Sequence, residues 1–184
     1  LYLLQMSLKI NYLDKKKSLH NNRAIFIYSN IKISGFQGDF DDQINQKIQN
    51  FLKKSKNLKD NKIIALNEDF DKKLIIIFVG NVGNELDSEK LGAKFFDFVK
   101  QNEVNNIYIK APLNNNIINF NSFIHGAELK SYEFNFYKTK FKKNIINFSI
   151  DKKNIIKKSK KLDAILSGVN FTRDLVSEPG NVLH

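Results

Sequence analysis

The chain has no cysteine, two prolines, eight glycines and two arginines in 184 residues. Without cysteine there is no disulfide, no thiolate metal ligand and no thiol nucleophile, which fits a cytoplasmic setting. So few prolines and glycines argue against a disordered or low-complexity chain. The net charge is +11, yet among 30 basic residues only Arg23 and Arg173 are arginines. Arginine supplies the planar, bidentate contacts to phosphate and guanine, so its scarcity weakens a nucleic-acid reading. Lysines spread among Asn and Ile suit solvated faces better than a binding patch. No apolar run reaches the length of a membrane span. The opening LYLLQ lacks the basic start and cleavage site of a signal peptide, and Met6 is the expected start.

What the chain does contain is apolar material, 42% of residues with 16 Phe, enough for one sizeable core. Strands are predicted at LKINYL (8–13), AIFIYS (24–29), IIAL (63–66), KLIIIFVG (73–80), NIYIKA (106–111) and NIINFSI (144–150). The near-continuous β-branched run at 73–80 suits a central strand covered on both faces. Helical spacing marks 41–54 through Ile44, Ile48, Phe51 and Leu52, and 86–102 through Leu91, Phe95, Phe98 and Val99. Asp87 is the expected N-cap of the second helix, with a Leu86–Leu91 staple. A third helix is predicted over 120–134. A fourth runs from Asp151 through residue 178, with an Ile150–Ile155 staple and apolar positions Ile155, Ile156, Leu162, Ile165, Leu166, Val169 and Leu175. It carries the basic block Lys157, Lys158, Lys160 and Lys161. Alternating strands and helices define an α/β sheet with helices on its faces, followed by a long exit helix.

Candidate chemistry is sparse. GNVGNE (80–85) follows the strongest strand and precedes a helix, where phosphates bind in many α/β proteins. It is neither GxGxxG nor a P-loop, and a tight turn using Gly80 and Gly83 explains it as well. His20, His125 and His184 have no metal-ligand spacing. Two acidic groups, Asp39 with Asp41 and Asp42, and Glu68 with Asp69 and Asp71, could offer oxygen ligands. The first abuts a helix start and the second reads as a polar turn. No G-x-S-x-G elbow is present.

Two stretches carry a resemblance. GAELKSYEFNFYKTK (126–140) is similar to a segment of the leucine aminopeptidase (cytosol aminopeptidase) family, through Gly126, Ala127, Leu129, Tyr132, Phe134, Tyr137 and Lys138. The closing GVNFTRDLVSEPGNVLH resembles the family's junction segment through Asn170, Arg173, Asp174, Leu175, Val176, Pro179, Asn181, Val182 and Leu183, with Ser177 where Asn is usual. The strand, glycine turn and helix beginning at 73 are similar to the family as well. The resemblance is strong over 73–184 and topological over 6–72.

The resemblance implies a macro-domain-like three-layer α/β sandwich with a mixed sheet over 6–150. A long linker helix follows over 151–178, and 179–184 open a larger catalytic domain that would lie beyond this chain. It implies a parent hydrolase of the cytoplasm that removes N-terminal residues, often Leu, from peptides. Two Mn²⁺ or Zn²⁺ ions would bridge a water there, with carboxylates, two lysines and an arginine assisting and bicarbonate in some members. No catalytic or metal-binding residue of the family has a counterpart here, so the chain alone is expected to be inactive. Arg173 is not the catalytic arginine and is expected in a helix-end or interdomain ion pair. Homo-hexamers are implied for the parent, with this domain serving assembly or access. The alternatives are a macro-like module for ADP-ribose or another nucleotide, and a DNA-binding accessory domain.

Overall fold

A computed structural model describes residues 6–13, 21–28, 42–54, 62–69, 71–80, 84–112, 118–139, 144–151 and 160–180. Every stretch read as a strand is one: β1 (Leu8–Leu13), β2 (Arg23–Tyr28), β3 (Lys62–Asp69), β4 (Lys72–Val79), β5 (Asn106–Ile109) and β6 (Ile146–Asp151). The helices are α1 (Asp42–Lys54), α2 (Glu85–Gln101), α3 (Phe120–Lys130) and α4 (Lys160–Ser177). The strands form a single six-stranded sheet in the order β1-β6-β5-β2-β4-β3. All neighbours are parallel except β3, which runs antiparallel to β4. The sheet is therefore mixed, as expected, and the fold is α/β.

Alternation along β4 explains its unbroken apolar run. Ile75, Ile77 and Val79 join the core under α2 and α3, while Leu74, Ile76 and Phe78 join a second core with Ile44, Ile48 and Phe51 of α1. A strand buried on both faces needs an apolar residue at every position. β2 sits beside it in register, Phe26 opposite Ile77, and its Phe26 meets Phe123 of α3 edge-on at 5.1 Å between ring centres. Burying one such ring stabilises the fold by about 1.5–3 kcal/mol.

α2 and α3 cross at backbone contact. A methyl group built on Gly92 would stand 1.8 Å from the carbonyl oxygen of Phe123, and one on Gly126 would stand 1.9 Å from that of Glu89. Each helix thus fills the space that a side chain on the other would need. Ion pairs flank the crossing, Lys130 to Asp97 at 3.0 Å and Lys100 to Glu133 at 2.5 Å. At the opposite end the Ser88 hydroxyl receives the N–H of Asn119. This gives Gly126 a packing reason within the 126–140 segment.

Several boundaries differ from expectation. The N-cap of α2 is Asn84, whose Oδ1 accepts the N–H of Asp87 at 2.9 Å. Asp87 therefore lies inside the first turn, where its charge still favours the helix dipole. Leu86 is also inside the helix and 54% exposed, so the expected staple with Leu91 does not form. α3 ends at Lys130, and Tyr132 leaves it as an isolated bridge partner of Met6. Asp151 closes β6 opposite Leu13, and α4 is described from Lys160 onward. Residues 152–159, with Ile155, Ile156, Lys157 and Lys158, lie outside the described residues.

Candidate functional site at the seam of α3 and α4

α4 lies alongside α3, and the two segments singled out in the sequence meet there. The inward stripe of α4 is Leu166, Asn170 and Asp174, spaced four apart and all under one-tenth exposed. Two of the three are polar, so the domain must supply partners for them. Tyr132 does so for Asp174: its hydroxyl donates to Oδ1 at 2.7 Å, whereas Asn170 Oδ1 has no partner among the described residues. Arg173, one residue earlier, donates from Nη1 to the carbonyl of Leu129 at 2.6 Å. Its guanidinium carbon lies 5.4 Å from the centre of the Tyr132 ring. The α3 carbonyl at the helix end, the tyrosine and the two charged residues of α4 form one interlock.

One turn further on, the Tyr137 hydroxyl donates to Glu178 just past the end of α4. Tyr137 also packs against Phe134, with ring centres 5.9 Å apart. Lys138 is exposed and its N–H donates to the carbonyl of Asn135. Leu175 is 41% exposed, and Pro179 follows the helix end in solvent. Asn181, Val182 and Leu183 lie outside the described residues. Of the expected motif residues, Tyr132, Tyr137, Arg173 and Asp174 are thus brought into one structure, with Asn170 beneath it. Within the domain Arg173 is held by the Leu129 carbonyl at the end of α3 and by the Tyr132 ring.

Burial, then the hydrogen bond and charge of Asp174, push the Tyr132 hydroxyl up to about 12 from its ordinary 10.0. The folded state therefore holds this proton more tightly than the unfolded chain. The stability so gained is complete below pH 10 and is lost as pH rises toward 12. Urea midpoints taken at pH 9.5, 10.5 and 11.5, roughly spanning that window, should fall more steeply in the native chain than in Tyr132→Phe. The lysine titration common to both proteins cancels in the comparison. At Tyr137 the Glu178 hydrogen bond raises the hydroxyl in the same sense.

The other candidates come apart. Glu68 is taken by Arg23, whose Nη2 reaches both carboxylate oxygens at 2.8 and 2.9 Å. Asp71 is exposed in the turn before β4. Asp42 sits in the first turn of α1, while Asp39 and Asp41 lie outside the described residues. Residues 81–83 of the glycine turn lie outside them too, as do His20 and His184. His125 is buried in α3 at 2% exposure, beside a cavity of about 20 Å³ lined by Tyr12, Glu128 and Leu162. Among the described residues no three His, Cys, Asp or Glu side chains are grouped to hold a metal ion. No helix among them is long and apolar enough to cross a membrane.

The fold is a mixed α/β sandwich of macrodomain type. The macrodomain of DarG from Thermus aquaticus has a TM-score of 0.53 and 6% identity, covering 78% of this chain and 98% of that one. A mutant tomato leucine aminopeptidase has a TM-score of 0.65 and 18% identity, covering 95% of this chain and 39% of that one. No family model matches. In sequence, the chain is similar to the cytosol aminopeptidase of Rickettsia prowazekii, with 29% identity over 95% of this chain and 39% of that protein. A probable cytosol aminopeptidase of Phytoplasma mali is 42% identical over 71 residues. This chain therefore resembles cytosol aminopeptidases along nearly all of its own length and spans about 39% of the length of the Rickettsia relative.

Proposed function

We propose that this chain is the N-terminal, non-catalytic part of a leucyl-aminopeptidase-type dimetal peptidase of the cytoplasm. The parent would remove N-terminal residues from peptides. The observation that carries this reading is the interlock: the two segments that resemble the aminopeptidases are far apart in sequence and bind each other through Tyr132, Asp174, Arg173 and Leu129. A chance pair of motif matches has no reason to meet.

The described residues do not fit a two-metal centre. Asp174 is committed to Tyr132 and Glu68 to Arg23, and no third ligand stands near either among the described residues. The parent's manganese or zinc would be held by the portion of the longer protein that this chain does not span. The role left to this domain is to carry α4 in a fixed direction, serving assembly of the parent, a hexamer in this reading, or access to its active site. The nucleotide-module reading rests on fold alone, since the macrodomain neighbour is 6% identical. The DNA-binding reading rests on lysines, of which only Lys160 and Lys161 of the basic block are described.

The purified chain with Mn²⁺ or Zn²⁺ should not hydrolyse a chromogenic leucine amide. Metal-dependent turnover that persists after removal of host peptidases would overturn the reading.

A further inference from the structure

α4 is apolar on more than the face it buries. Leu166 points into the domain, while Ile165, Phe171, Leu175 and Val176 are exposed, Val176 by 81%. From Ala164 to Ser177 the only charged residues are Arg173 and Asp174, and both are spent on Leu129 and Tyr132. In a chain that is 27% charged, an exposed helix surface without a free charge is built to meet protein. The same side forms a shallow, open surface lined by Tyr132, Ile165, Gly168, Val169, Thr172 and Val176 among others. Gly168 widens it, since a methyl group there would meet nothing within 4 Å. Phe136 and Tyr137, 67% and 50% exposed, extend the apolar surface toward the end of α4, to which Tyr137 is tied through Glu178.

Two occupants compete. Ile165, Val169, Thr172 and Val176 follow the four-three-four spacing that pairs helices, which would suit a second copy. That stripe covers about three turns, whereas helix pairs that stand alone need some three to four heptads. The other occupant is more polypeptide of the same chain. The surface gathers toward the end of α4, and this chain spans only 39% of the Rickettsia relative. We infer that the exposed face of α4, with Phe136 and Tyr137, is the seat on which the catalytic portion of the parent aminopeptidase packs. This rests on the function proposed above and adds the surface that joins the two parts.

The absence of cysteine makes the test direct, because Val176→Cys introduces the chain's one thiol. Two proteins are compared: the 184-residue chain, and the same chain continued by the remainder of the Rickettsia prowazekii cytosol aminopeptidase. Each is labelled with a small maleimide, and the rate at position 176 is read by peptide mass mapping. Asp71→Cys, in the exposed turn before β4, serves as control. Labelling at 176 should be fast in the chain alone and at least about tenfold slower in the continued protein, with equal control rates. Equal rates at 176 would overturn the inference, as would a continued protein that fails to fold. Slow labelling in the chain alone, with a doubled mass in sedimentation that Val176→Asp abolishes, would give the face to a second copy instead. Protection without peptidase activity would keep this seat and sink the functional reading. Activity without protection would do the reverse.

Discussion

Gly126→Ala should lower the stability of the fold by about 3 kcal/mol, a fall of some 6–12 °C in the thermal midpoint of a chain this size. Two effects oppose each other. Alanine is the better helix former by about 1 kcal/mol. Its methyl group, however, would stand 1.9 Å from the carbonyl oxygen of Glu89, which is backbone and cannot rotate aside. Overpacking a core with flexible neighbours costs about 1–3 kcal/mol, and a backbone collision belongs above that range. Relief would require α2 and α3 to separate. Both are held down by Phe95, Phe96 and Phe123, which are essentially inaccessible to solvent. Gly92→Ala meets the carbonyl of Phe123 in the same way and should behave alike. The two changes act on one crossing, so their combination should cost less than the sum. A thermal scan followed by circular dichroism reads the result. A midpoint that rises in either variant would mean that the helices do not touch as described.

The second large effect lies in the interlock. Asp174 is 5% exposed and Tyr132 supplies its hydrogen bond, while Oδ2 has no partner among the described residues. Tyr132→Phe would leave a buried carboxylate without a donor, at a cost of about 2–3 kcal/mol. Asp174→Asn keeps the shape and removes the charge, so the phenylalanine should then cost much less. A double-mutant cycle should give a coupling of at least about 1.5 kcal/mol. The loss should be local. Amide exchange in α4 should speed up by roughly thirtyfold or more, while β4 stays protected. A coupling near zero would show that α4 is held by something other than this pair.

These two effects differ in how far the sequence announced them. The sheet was legible because its signals are local and redundant. The run from Leu74 to Val79 has no polar residue, and only a strand covered on both faces tolerates that. The cap of α2 was harder. Asn84 and Asp87 are both good N-caps three residues apart, and the choice falls to Asn84 because its side chain reaches the N–H of Asp87. The Gly126 contact left no local trace, since a glycine inside a helix says nothing about which backbone approaches it.

α4 shows the limit most clearly. Helical spacing groups Ile165, Val169 and Val176 on one side and Leu166, Asn170 and Asp174 on another. Apolarity alone selects the first group as the inward one, but the domain takes the second. The reason is a set of partners more than forty residues away, the Tyr132 hydroxyl and the Leu129 carbonyl, which compensate polar groups that would otherwise stay in water. Periodicity identifies which residues share a face, not which face meets the domain. The only sequence signal for this arrangement was that Tyr132 and Asp174 fall in two segments resembling one family.

If this domain belongs to a longer aminopeptidase, as proposed, the intact mass of the native gene product in its own cell will show it. That product should be a single polypeptide of more than twice the 21.4 kDa of this chain, in keeping with the 39% of the Rickettsia relative that it spans. A native product of 21.4 kDa would contradict the proposal and leave α4 facing solvent in the cell.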